Sequence, residues 1–164
     1  MGEQQRSRLQ RICNIAKYVV LAGIVIAGLI LVGVISLGAM MLNDPSLTFE
    51  DMGRDELFFL IITNSINQVV SILLFFFLYR LTNSLGSDDS PFTSDNVWLL
   101  KKMAIILFCG WVFALIVDCT LAYLWSMEYA GLNADALLMA GIIYVISLVF
   151  EYGVRLQEES DSFV

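Results

Sequence analysis

One acid stands inside an otherwise apolar run, Ala114-Leu115-Ile116-Val117-Asp118-Cys119-Thr120. If that run crosses a bilayer, an ionised carboxylate there costs about 2.5–3.5 kcal/mol even on the lenient insertion scale. Asp118 is therefore expected to face other helices, protonated or hydrogen-bonded. Depth selects its partners. At about 1.5 Å of rise per residue, Asn64 and Ser36 reach the level of Asp118, and Asn67 and Gln68 lie a turn deeper. Asn64, Asn67, Gln68 and Ser71 recur at helical spacing and can share one face.

Two chemistries are open to this polar seam. The residues can be interhelical glue, at about 0.6 kcal/mol per hydrogen bond. Alternatively, Asp118 is a proton or ligand site lined by Asn64 and Gln68, which would make the chain a small transporter or an immunity-type membrane protein. A relay needs a second acid, a basic partner or a histidine. The sequence has 0 histidines, which removes the commonest general base and metal ligand. Glue takes precedence. The three cysteines, Cys13, Cys109 and Cys119, are scattered and form no zinc or disulfide pattern. No catalytic residue, metal site or cofactor is expected, and the chain is not read as an enzyme.

The elements that must position these groups are four apolar runs: Tyr18–Leu42, Leu57–Tyr79, Met103–Trp125 and Ala136–Tyr152, the last continuing as helix through Arg155. A run of about 20 residues crosses about 30 Å of hydrocarbon. The first run is far longer than a signal-peptide core and no A-x-A site follows it, so it reads as a permanent span. Apolar residues make up 59% of the chain and charged residues 15%, against about half and a quarter in soluble proteins. A soluble fold of 164 residues cannot bury that excess, so lipid is the first partner. The net charge of −7 excludes a direct nucleic-acid footprint.

Lysine and arginine set the orientation. Arg6, Arg8, Arg11 and Lys17 precede the first run, Arg80, Lys101 and Lys102 fall between the second and third, and Arg155 follows the fourth. Of 9 basic residues only Arg54 lies on the other side. Both termini are therefore expected in the cytoplasm, with a cytoplasmic loop over 80–102 and a cytoplasmic tail over 156–164. Asp44, Glu50, Asp51, Asp55, Glu56, Glu128 and Asp135 then lie outside. Interfacial rings agree: Tyr18, Tyr79, Trp98 and Tyr152 within, Tyr123, Trp125 and Tyr129 without. The fold class is all-α, a single four-helix transmembrane bundle over residues 1–164. Homo-oligomerisation is left open.

Local signals refine the picture. Gly23, Gly28, Gly33 and Gly38 recur every 5 residues, advancing about 140° beyond a full turn each time, so they spiral instead of lining one face. Only Gly23 and Ala27 form a small-xxx-small pair. Asn83-Ser84-Leu85-Gly86-Ser87-Asp88-Asp89-Ser90-Pro91 is rich in turn residues, and Thr93 or Ser94 can cap the helix that follows. Beyond the fourth run, Glu151 and Arg155 are spaced for a helical ion pair with the acid first, and Arg155 can also reach Glu158 and Glu159. With Tyr152 these residues either anchor the span at the interface or form a docking surface.

Two segments carry a resemblance. Ser90-Pro91-Phe92-Thr93 followed by Asn96, and Phe150-Glu151-Tyr152-Gly153-Val154-Arg155-Leu156-Gln157-Glu158-Glu159-Ser160-Asp161, resemble a family of small bacterial four-span membrane proteins known only as a domain of unknown function. Genes of that family often neighbour a small Cro/C1-like helix-turn-helix regulator. The resemblance implies a multi-pass protein of the bacterial cytoplasmic membrane that holds or signals to a cytoplasmic helix-turn-helix partner. It assigns Asp118 no role.

Overall fold

The structure, a computed structural model, describes residues 3–44, 53–87, 90–125 and 134–162. It is all helical, with α1 (Glu3–Asn43), α2 (Arg54–Ser87), α3 (Ser94–Trp125) and α4 (Asp135–Asp161). All four are long and apolar enough to cross a membrane. Their lengths exceed the apolar runs, because hydropathy locates where apolar side chains stop, whereas a helix continues wherever its backbone bonds stay satisfied. The segment 80–102, expected as a loop, is thus mostly helix. α2 runs on to Ser87 and α3 begins at Ser94. The residue before Pro91 is biased away from helical geometry, which helps keep the two helices apart. The tail is likewise helical to Asp161.

Local chemistry marks the ends. Thr93, and not Ser94, caps α3: its hydroxyl accepts the Asn96 N–H at 3.3 Å. At the start of α2, the Gly53 N–H donates to the Glu56 carboxylate at 3.1 Å, the backward half of a capping box. Arg54 reaches back to donate to the Leu42 carbonyl at 3.2 Å, tying the last turn of α1 to the first of α2.

Close approaches join chain neighbours only: α1 with α2, α2 with α3, and α3 with α4. Among the described residues, α1 therefore closes no ring with α4. The bundle is an open series of antiparallel hairpins. On α1 the face toward α2 carries Cys13, Val20 and Ala27, buried at heptad spacing. Small residues set the approach: a methyl at Gly23 would come 3.0 Å from the Phe75 ring, and one at Gly86 would lie 3.3 Å from the Cys13 Cβ. A methyl at Gly38 would overlap Ile61, while Gly28 and Gly33 face open space. This is the outcome a spiral of glycines dictates. Between α2 and α3 the backbones approach at Gly110, where a methyl would meet Val70 at 2.8 Å.

The outer surfaces are apolar. Val25, Leu29, Val32 and Ile35 on α1 and Leu138, Ile142, Val145 and Val149 on α4 are all exposed. In water such a surface would drive aggregation, and in lipid it costs nothing. Tyr18, Trp98 and Tyr152 are exposed near one end of the helices and Tyr123 near the other. Tyr129 and the side chain of Trp125 lie outside the described residues. The antiparallel order brings Arg11, Lys17, Arg80, Lys101, Lys102 and Arg155 to one end and Arg54 to the opposite end.

Candidate functional site

The segments 90–96 and 150–157 lie more than 50 residues apart in the chain and dock on one another. The Phe92 ring stands 5.4 Å from the Phe150 ring at 60°, an edge-on geometry that suits the aromatic quadrupoles. Phe92 also fills the hollow left by the missing side chain of Gly153, where a Cβ would lie 2.7 Å from its Cε1. Ser90 donates to the Gln157 side-chain oxygen at 2.6 Å, and the same hydroxyl accepts the Phe92 N–H at 3.2 Å. One serine therefore fixes both the turn and the helix it leans on.

Asn96 completes the junction from within. It is fully buried, and its amide donates to the Pro91 carbonyl at 3.0 Å, holding the turn from the inside. Its Oδ1 is buried and has no hydrogen-bond partner among the described residues. Beneath the junction, Leu81 of α2 meets Leu99 and Leu100 of α3, with Phe77, Ile143 and Phe150 around them. The ends of three helices thus share one apolar cluster.

An ion pair also ties α4 to α3. Lys101 pairs with Glu151 at 2.9 Å, and Arg155 approaches the other oxygen of the same carboxylate at 3.6 Å. The predicted Glu151–Arg155 pair is present, but the shorter link goes to Lys101, a partner that spacing along one helix could not reveal. The ion pair formed by Arg155 thus runs backward to Glu151, while Glu158 and Glu159 are exposed. Tyr152 is exposed at the helix surface.

The polar seam around Asp118 is arranged differently from expectation. Asp118 is half-buried and accepts a hydrogen bond from the Thr63 hydroxyl at 2.7 Å. Asn64 and Ser36 match it by depth, yet Asn64 is exposed and turns its amide back to the Leu60 carbonyl at 2.8 Å. Ser36 and Asn67 are exposed, and Gln68 is half-buried. Depth was right to within one residue and the face was wrong, because each step along a helix turns it by about 100°. Thr63 shares the stripe of Val70 and Leu81, which touch α3. That stripe was the available signal. Other hydroxyls close on their own helices, Ser71 on the Asn67 carbonyl, Thr120 on that of Ile116 and Ser147 on that of Tyr144, so they need no partner in lipid.

The chain was compared with protein-family models, curated proteins and solved structures, and none matches.

Proposed function

We propose that this chain is a non-enzymatic membrane regulator, both termini cytoplasmic, that holds a helix-turn-helix DNA-binding protein at the bacterial cytoplasmic membrane. The observation that carries the reading is the clamping of one helix end. α4 continues unbroken to Asp161, with Glu151 braced by Lys101 and Gln157 held by Ser90. Glu158, Glu159 and Asp161 are exposed just beyond the clamp. A rigid display of carboxylates suits the basic recognition helix of a DNA-binding domain and competes with phosphate for it. The resemblance of the clamped segments to the four-span family supports the same partner class.

The transporter alternative, built on Asp118 and the amides of α2, loses support from the geometry. The carboxylate is bonded to a neighbouring helix by Thr63, and Asn64 faces away. The glue reading accounts for the Thr63–Asp118 bond, while Asn64 closes on its own helix.

Affinity capture from solubilised membranes, read by mass spectrometry, tests the proposal. The wild-type chain should retain a helix-turn-helix protein, and Glu158→Lys with Glu159→Lys should release it. The loss should resemble that produced by added salt, since exposed charges are screened over about 8–10 Å at physiological ionic strength. Unchanged capture by the double reversal would sink tail docking.

A further inference from the structure

An open groove of about 710 Å³ lies between the end of α2 and the start of α3. Tyr79, Arg80 and Asn83 form one side, and Ser94, Asp95 and Trp98 the other. Among the described residues Arg80 has no hydrogen bond or ion pair. Two further cations stand over the rim. Lys17 donates to Asn83 at 2.7 Å and lies 5.2 Å from the centre of the Tyr79 ring. Lys102 lies 3.7 Å from the centre of the Trp98 ring. One cation, Arg80, thus lines the groove and two more, Lys17 and Lys102, contact its lining side chains, against one acid among the described lining residues, Asp95.

Depth and surroundings indicate the occupant. Arg80 immediately follows the second apolar run, and Trp98 precedes the third by 5 residues, which is about 7 Å of helix. The bilayer's polar layer is about 5–7 Å thick on each side, so both residues sit at headgroup depth in a spanning chain. From Arg80 an exposed apolar stripe runs into the membrane along α2 through Phe76, Leu73 and Val69, at helical spacing. On α3, Trp98 continues into exposed Ile105, two turns further into the membrane. A cationic pocket at the head of two apolar tracks has the polarity of a phospholipid, with acyl chains on the tracks and phosphate in the pocket.

We propose that this groove binds the headgroup of an anionic glycerophospholipid, with Arg80 as the principal phosphate donor and Lys17 and Lys102 as flanking cations. The inference rests on the membrane-spanning reading and is independent of the helix-turn-helix partner, whose capture is a separate readout.

Native mass spectrometry of the full-length chain, released from micelles doped with equimolar phosphatidylglycerol and phosphatidylcholine, tests it. The wild type should retain phosphatidylglycerol preferentially. Arg80→Ala should weaken that retention about fivefold, the factor matching about 1 kcal/mol per basic residue near a charged lipid. Arg80→Lys should keep most of it, and Arg54→Ala, at the opposite end, should keep all of it. Circular dichroism on each variant separates lost binding from lost fold. Equal retention of the two lipids by the wild type, an Arg80→Ala variant that is folded yet unimpaired, or displacement of the lipid by millimolar inorganic phosphate would each overturn the proposal.

Discussion

The Thr63 hydroxyl donates to the Asp118 carboxylate at 2.7 Å, joining the first half of α2 to the second half of α3. Leu81 and Leu100, each 18 residues from one of these partners, belong to one cluster at the other end of the same pair. Since 18 residues make about five turns, one straight antiparallel seam carries both contacts. The hydrogen bond is thus set in register by apolar packing roughly 27 Å away.

That seam makes a measurable claim about Asp118. Asp118→Asn should leave stability nearly unchanged, because the amide oxygen still accepts from Thr63. Asp118→Leu and Thr63→Val should each destabilise the detergent-solubilised protein, with a coupling of about 0.6 kcal/mol and no more than about 1.7. A double-mutant cycle on unfolding midpoints checks this. Additive effects would mean that the bond contributes nothing, and a pH-dependent activity lost in Asp118→Asn would revive the transporter reading.

Two glycines of α4 should respond in opposite directions to the same change. A methyl at Gly153 runs into the Phe92 ring, whereas one at Gly141 meets nothing within 4 Å. Gly141→Ala should stabilise by about 0.5–1 kcal/mol through helix propensity. Gly153→Ala should lose about 1–3 kcal/mol to overpacking, less that propensity gain. Thermal melts of the two variants give the comparison, and equal shifts would show that the Phe92 junction yields freely.

Orientation is open to chemical labelling in intact cells. Single cysteines at Ser46 and Met127, in the segments between α1 and α2 and between α3 and α4, should react with an impermeant maleimide. Cysteines at Ser87 and Ser162 should react only after permeabilisation. The expectation rests on the skew of lysine and arginine toward one end. External reaction at Ser162 would reverse the assignment and move the acidic end of α4 away from any cytoplasmic partner.

Sequence by itself determined that there are four long apolar helices and, through their antiparallel succession, which segments share an end. It singled out Asp118 as the costly group, Thr93 as one of two candidate caps, and the 90–96 and 150–161 segments as the ones that carry a resemblance, without indicating that they dock on one another. Only tertiary structure decided which side of each helix meets protein: Thr63 inward and Asn64 outward, Gly38 packed and Gly33 open, Glu151 nearer to Lys101 than to Arg155. The reason lies in the solvent. A helix in water marks its buried face by an apolar stripe, but lipid is as apolar as a leucine core, so both faces of a spanning helix read alike. Length and composition survive that loss of contrast. Rotation about the helix axis does not, and it is fixed by where small residues let backbones approach and where a hydroxyl can reach a carboxylate.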